Sequence, residues 1–455
     1  MGKKTVLAIL LPLIVLTAGA GYLANHRIEG RPALVSLERF EPDMGLSQEL
    51  VLVLEDSDSG LRNVRIDMAK DGKQCVLLDR QYPFGGWFGS DARKKERLTV
   101  PIEPAALGLT DGEAILSVNV RDYSWRRWFH GNLTKVEKPL RIDTRTPQIH
   151  VISQAHNVSQ GGAGLVVYRL SETCRQSGVR VAEMFFPGHG GRFADPLIMT
   201  CFFALSHEQG PGTRMAVEAM DLAGNMGRST FVHYIRPKSF PKDAIRLNDA
   251  FMRTTIAALA PADSGHASLL DRFLAVNRDM RVQNDDVVRQ VSAAGQGMIL
   301  WDGPFMRLPA AAPRAGFADR REYVFNNVVV DRQVHLGVDL ASLAQSPVPA
   351  ANRGKIAYVG ELGIYGLMVM IDHGGGLMSM YAHLSRIDAR VGQMVEKGQI
   401  IGRTGATGLA GGDHLHYAML VHTTFVNPVE WWDKHWIADN VVNKLNEASR
   451  IAAGG

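Results

Sequence analysis

Cysteine is scarce in this chain. Its 455 residues include only Cys75, Cys174 and Cys201, with no Cys-x-x-Cys pair. A thiolate metal site of the zinc-ribbon kind is therefore excluded. Two readings of the thiols stay open: a disulfide between Cys174 and Cys201, or three buried free thiols. An excess of one charge is also missing. Fifty Lys and Arg face 46 Asp and Glu, leaving a net charge of +4. No basic stripe with interleaved aromatics occurs, so no nucleic-acid partner is expected. Hydrophobic residues make up 46% and charged residues 21%, which excludes long disorder.

Only one long apolar run exists. Lys3 and Lys4 precede an uncharged stretch from Thr5 to Ala24. Twenty helical residues rise about 30 Å, the thickness of a bilayer core. The run reads as an N-terminal transmembrane helix, with the basic residues on the cytoplasmic side. Alternatively it is a cleaved signal, because Ala18-Gly19-Ala20 has the small-residue pattern of a cleavage site. Either way the remainder is exported to the cell envelope. The segment 1–30 is taken as anchor or signal.

The length predicts several folded units. From Arg31 to Arg236, short apolar alternations are broken by Gly, Pro, Asp and Ser, which predicts strands. A weak repeat links Ser59-Gly60-Leu61-Arg62 to Ser177-Gly178-Val179-Arg180. Each is followed by a strand that runs into an Asp turn, at Asp122 and at Asp221. Residues 216–225 resemble the late strand and turn of bacterial immunoglobulin-like domains. Two immunoglobulin-like β-sandwiches are expected, over 31–145 and 146–236. Helical periodicity over 244–259, 269–274 and 287–291 predicts a small helical subdomain over 237–297. A β-rich domain follows over 298–440, then a tail over 441–455. The expected fold is thus multidomain and mainly β.

The chemistry concentrates in the C-terminal third. Three short motifs occur in order: His335-Leu336-Gly337-Val338-Asp339, Tyr381-Ala382-His383-Leu384-Ser385 and His414-Leu415-His416. On a strand, His414 and His416 share one face, while Leu415 and Tyr417 face a core. His335 and Asp339 would lie about 13 Å apart in a straight strand, too far to share one ion. A bend is required, and Gly337 makes one feasible. Two imidazoles and a carboxylate would leave one tetrahedral position open for water, as catalytic zinc sites require. Taken singly, each motif is more often an ordinary surface or core pattern. Their joint occurrence in one glycine-rich region reverses that balance.

The segment from about His335 to Pro428 resembles the lysostaphin-type, or LytM-type, zinc metalloendopeptidases. That family's pattern is His-x-x-x-Asp, Tyr-x-His-Leu, then His-x-His. The blocks Ile371-Asp372-His373-Gly374, Val391–Val395, Lys397–Gly402 and Asn427-Pro428 match as well. The resemblance implies a C-terminal barrel-sandwich-type metallopeptidase fold with one Zn2+ held by His335, Asp339 and His416. It implies that His383 and His414 are the catalytic histidines. Which of them is general base stays open; the two-residue offset of His414 from His416 favours His414. It further implies a hydrolase of peptidoglycan stem peptides or cross-links. Phe317-Ala318-Asp319-Arg320 departs from the family's usual Phe-Gly, at the expected groove rim. His373 reads as a turn residue without a role. Two other classes compete. One is a catalytically silent LytM-type regulator of other wall hydrolases. The other is a non-enzymatic periplasmic adaptor, suggested by the barrel-like turns at Val391–Ile401.

Overall fold

Period-two alternation of buried and exposed side chains runs along Gly112–Asp122, where Ala114, Leu116, Val118 and Val120 all point inward. That strand lies at the centre of a five-stranded sheet in a computed structural model of the chain, which describes residues 3–86, 91–256, 259–260 and 268–454. The chain divides into two units. One comprises residues 1–146 with 220–226, the other 147–219 with 227–455.

In the first unit the sheet order is Asp43–Met44, Leu133–Ile142, Gly112–Asp122, Leu61–Lys70, Lys73–Gln81. A three-stranded sheet of Leu34–Arg39, Gln48–Glu55 and Lys95–Ile102 accompanies it. Leu50, Leu52 and Leu54 of the smaller sheet share one core with Val64, Ile66 and Met68 of the larger. The Asp turn expected at Asp122 is present. Its Oδ1 accepts from the backbone N–H groups of Ser124 and Asn132 and ends the strand. The apolar N-terminal run forms a helix, Lys3–Arg27, with Pro12 inside it. Among the described residues no helix is long and apolar enough to cross a membrane, so the expected transmembrane helix is not shown.

The second unit begins with two further sheets. Ala163–Leu170 pairs with Ile198–Ala204 and Ile149–Val151. The other sheet runs Met184–Pro187, Cys174–Val181, Met215–Asp221, Met226–Ser229. No disulfide joins Cys174 and Cys201, which decides between the two readings left open for them. The two thiols sit on strands of different sheets and bond different carbonyls, Glu172 for Cys174 and Phe186 for Cys201.

The helical reading holds for Leu269–Ala275 and Arg281–Ala293, and fails at its start. Lys242–Arg246 is a strand, parallel to Arg320–Phe325. Five residues are too few for periodicity to tell helix from strand, and the open edge of Arg320–Phe325 takes them. Pro261 and Gly265, which separate the first two helical stretches in the sequence, lie outside the described residues. The supposed tail is a helix, Asn443–Gly454. Val441, Leu445 and Ala448 repeat at helical spacing and are buried.

The main sheet of the C-terminal region has eight strands. They are β1 (Ala312–Ala315), β2 (Val338–Ala341), β3 (Gly354–Leu362), β4 (Gly366–Gly374), β5 (Leu377–Leu384), β6 (Met394–Val395), β7 (Leu415–Val421) and β8 (Thr424–Val426). Their order is β1-β2-β7-β5-β4-β3-β6, with β8 on β7. The central strands β5 and β7 are buried along their whole length, as strands covered on both faces must be. One face is closed by fully buried Trp431, which meets Phe202, Trp301 and Phe305 at centroid distances of 6.1, 5.8 and 5.7 Å.

Beside that cluster Glu430 projects toward the β domain. Its Oε2 accepts from the Ala163 N–H at 3.1 Å, and a Cβ on Gly162 would stand 2.6 Å from its carboxylate. Burial pushes its carboxyl from 4.5 up to about 7. The folded state thus holds the Glu430 proton more tightly than the unfolded chain. Stability is fully present below about pH 4.5 and falls as pH rises toward 7, by on the order of 2–3 kcal/mol. Denaturant unfolding at pH 5 and pH 8 is expected to show that loss, and Glu430→Gln to remove most of it.

Candidate active site

The peptide before β2 turns sharply. The strand Val328–Val334 ends at Val334, a bend falls at Gly337, and β2 begins at Val338. His335 and Asp339 thereby meet, with Nε2 to Oδ1 at 2.9 Å. Gly337 is needed for space rather than for a left-handed backbone. A Cβ there would lie 2.6 Å from Cε1 and Nε2 of His416. Pairing of β2 with β7 sets Asp339 opposite His416. His416 Nδ1 then lies 2.9 Å from Asp339 Oδ1 and 3.0 Å from His335 Nε2.

These three atoms form a tight triangle. His335 Nδ1 donates to the Gly316 carbonyl at 2.8 Å, which leaves Nε2 without a proton. An unprotonated nitrogen and a carboxylate oxygen at 2.9 Å are two acceptors in contact, and a cation resolves that contact. Donor atoms of a tetrahedral zinc site stand roughly 3.3 Å apart. The donor set fits such an ion, and it is one of two groups among the described residues with metal-ligand geometry. Burial alone would raise the Asp339 carboxyl, but His335 and His416 outweigh it and hold the group well below the usual carboxylate range. Burial lowers His416 to about 4, against the Asp339 hydrogen bond.

His383 and His414 complete the cluster. His383 closes β5 with φ +61, a left-handed conformation for a bulky residue. That turn follows the last β5–β7 pair, Ala382 with His416. The His383 ring lies 4.8 Å from His414 and 5.8 Å from His416. Its Nδ1 donates to the Thr407 carbonyl at 2.8 Å, and burial lowers it to about 3, with His414 and His416 adding to the effect. His414 Nδ1 donates to the Gly412 carbonyl at 2.8 Å, and its Nε2 stands 3.6 Å from Asp339 Oδ1. Both rings therefore turn an unprotonated Nε2 away from their backbone anchors. The alternation expected at His414–Tyr417 is present, with Leu415 and Tyr417 buried and Tyr417 against Tyr381 at 5.3 Å.

The five motif residues thus converge. His373 stays outside the cluster, and it is not a turn residue. It is a fully buried member of β4 whose Nδ1 and Nε2 are held by the Arg353 carbonyl and Ser379 Oγ at 2.8 and 2.7 Å. No local motif points to Arg321. Its Nη2 donates to Asp339 Oδ2 at 3.0 Å, on the side of the carboxylate away from the histidines. A strand alternation through Arg320–Phe325 could have placed it, since Arg321 and Tyr323 fall on one face. The Phe317–Arg320 segment braces His335: the Ala318 N–H donates to the His335 carbonyl at 2.7 Å, and the His335 N–H to that of Asp319 at 3.0 Å. Ala318 has φ +64, a left-handed backbone conformation that favours glycine.

A cavity of about 270 Å³ opens onto the cluster, and its far wall carries Ile245, Phe251, Phe273 and Arg281 of the strand-and-helix segment.

Residues 333–428 match Peptidase family M23. This segment is an M23 peptidase domain.

Curated relatives agree over the same stretch. DD-carboxypeptidase/endopeptidase Mpg of Neisseria meningitidis is 41% identical over 97 residues, 21% of this chain and 22% of that protein. Peptidoglycan DD-endopeptidase ShyA of Vibrio cholerae is 38% identical over 96 residues, 21% and 22% of the two chains. Lysostaphin of Staphylococcus staphylolyticus is 36% identical over 92 residues, 20% and 19%. The match therefore spans about a fifth of each relative. The lysostaphin-type resemblance read from the motifs is borne out for the M23 domain, whose bounds enclose all five clustered residues.

Proposed function

We propose that the chain is a zinc-dependent endopeptidase of peptidoglycan, cutting stem peptides or cross-links in the cell envelope. The observation that carries this reading is the triangle of His335 Nε2, Asp339 Oδ1 and His416 Nδ1, with two further imidazoles beside it. His335, Asp339 and His416 are the metal ligands. A bound zinc would supply a water acidified from about 15.7 to near 7 and polarisation of the scissile carbonyl. His414 is the general base: its anchored Nδ1–H leaves Nε2 free to accept the water's proton, and its side chain keeps 17% exposure, on the open side of the cluster. His383 is deeply buried and fixed by Thr407, so its unprotonated Nε2 is an acceptor, which suits it to orient the attacking water or a substrate N–H beside the metal position. Export is supported by Lys3-Lys4 and the apolar run after them, and the substrate by the named activity of the V. cholerae relative. Residues 31–145 and 146–236 serve as immunoglobulin-like spacers and 298–440 as the catalytic domain.

Arg321 is a positioning residue in this reading. It occupies Asp339 Oδ2 and leaves Oδ1 to the metal. Arg321→Met is expected to weaken zinc binding about 10–100-fold, read by competition with a chromogenic chelator. Unchanged zinc affinity would show that the ion pair only decorates the site.

A silent-regulator reading has one observation in its favour, the wall of Phe251 and Phe273 across the cavity. Digestion of purified peptidoglycan by the full chain separates the two. New amino termini seen by mass spectrometry and lost with a chelator establish the endopeptidase. Their absence leaves the regulator.

A further inference from the structure

In the first unit, the segment Trp125–His130 presents two large apolar side chains to the outside. Trp128 is 91% exposed and Phe129 64%. Exposed aromatics of this size are uncommon on a folded domain unless they meet a partner. These two are held out by a built backbone. Arg127, Trp128 and Phe129 have φ of 51°, 56° and 67°, three consecutive left-handed residues with none of them glycine. Hydrogen bonds fix that conformation. The Phe129 N–H donates to the Trp125 carbonyl at 3.2 Å, the His130 N–H to that of Arg127 at 3.2 Å, and Arg62 Nη1 to the Phe129 carbonyl at 2.8 Å.

The loop is basic. Arg126 and Arg127 are exposed, and no acidic residue occurs between Ser124 and Lys135. It also adjoins the end of the N-terminal helix. The Trp125 N–H donates to the Arg27 carbonyl at 2.5 Å, and Ser124 Oγ to the same carbonyl at 3.3 Å. Arg27 itself is buried and donates to the Ser59 carbonyl at 3.1 Å, which ties the helix end to the domain. That helix bears its own exposed apolar side chains, from Leu10 at 45% to Leu16 at 69%. One end of the first unit thus joins an apolar helix to an aromatic and cationic loop.

We propose that the Trp125–His130 loop is a membrane-interface contact, with Trp128 and Phe129 inserted at headgroup depth of an anionic bilayer and Arg126 and Arg127 on lipid phosphates. Tryptophan beside arginine suits that boundary, because its ring is apolar and its N–H can remain in the wet layer. Contact there would fix the distance of the first unit from the lipid surface, whatever the N-terminal helix does in the bilayer.

The full chain is bound to vesicles of phosphatidylethanolamine and phosphatidylglycerol whose acyl chains are brominated just below the headgroup, and tryptophan fluorescence is recorded. The chain has seven tryptophans, so the difference between it and Trp128→Phe isolates Trp128. Trp128 is expected to be quenched. Arg126→Gln combined with Arg127→Gln is expected to reduce its lipid association roughly thirtyfold, from about one kcal/mol per basic residue at an anionic surface. Quenching unchanged in Trp128→Phe leaves the side chain in water and overturns the proposal. So does equal Trp128 quenching in vesicles of phosphatidylcholine alone. So too does lipid-free sedimentation with cell-wall sacculi that Trp128→Phe abolishes, which would assign the loop to glycan.

Discussion

Replacing Asp339 with alanine is expected to remove bound zinc and peptidoglycan hydrolysis together. Asp339 is the hub of the cluster. Its Oδ1 lies 2.9 Å from both His335 Nε2 and His416 Nδ1, and its Oδ2 takes Arg321 at 3.0 Å. Without the carboxylate, two neutral imidazoles and a cationic guanidinium face the metal position. That leaves two ligands where a catalytic zinc site uses three, beside an unpaired positive charge. Zinc content by elemental analysis is expected to fall from one per chain to near zero. Cleavage should drop to background, at least about 10³-fold. The fold is expected to survive, because alanine keeps the backbone pairing of β2 with β7 and no β5–β7 pair involves Asp339. A variant that keeps both zinc and turnover contradicts the ligand assignment.

Replacing His414 with alanine separates metal binding from catalysis. The ring is absent from the tight triangle, since its Nε2 stands 3.6 Å from Asp339 Oδ1 while the three ligand atoms lie within 3.0 Å of one another. Zinc content should therefore be retained. A positioned general base contributes about 10²–10⁴-fold, and kcat is expected to fall by that factor with KM little changed. His383→Ala is expected to lose kcat as well, but it also removes the hydrogen bond to the Thr407 carbonyl and leaves a void among buried rings. His414→Ala is the cleaner measurement. Loss of zinc together with activity would make His414 structural.

The site was more legible in the sequence than the surroundings that shape it. Ligand-type residues at a spacing of four, with a glycine between them, required a bend, and the bend falls at Gly337. The alternation of His414 and His416 needed only the two-residue period of a strand. Arg321 could not be found that way, because its partner Asp339 is brought to it by the fold and no local spacing links them. The same holds for Phe251 and Phe273, which reach the cavity from a segment that local pattern marks only as helical. Lys242–Arg246 was misread because a short apolar alternation takes its structure from the strand edge it meets. The C-terminal helix was missed although Val441, Leu445 and Ala448 carry the helical period; the polar residues between them made the stretch resemble a tail. At the N-terminus, apolar composition predicted the helix that Lys3–Arg27 forms.

The central claim is that His335, Asp339 and His416 hold one catalytic zinc in the M23 domain. Its most direct test is a titration of the metal-free chain with zinc while peptidoglycan cleavage is followed. Activity is predicted to rise linearly and to saturate at one zinc per chain. Cleavage at full rate before zinc is added, or none after one equivalent is bound, would contradict the account.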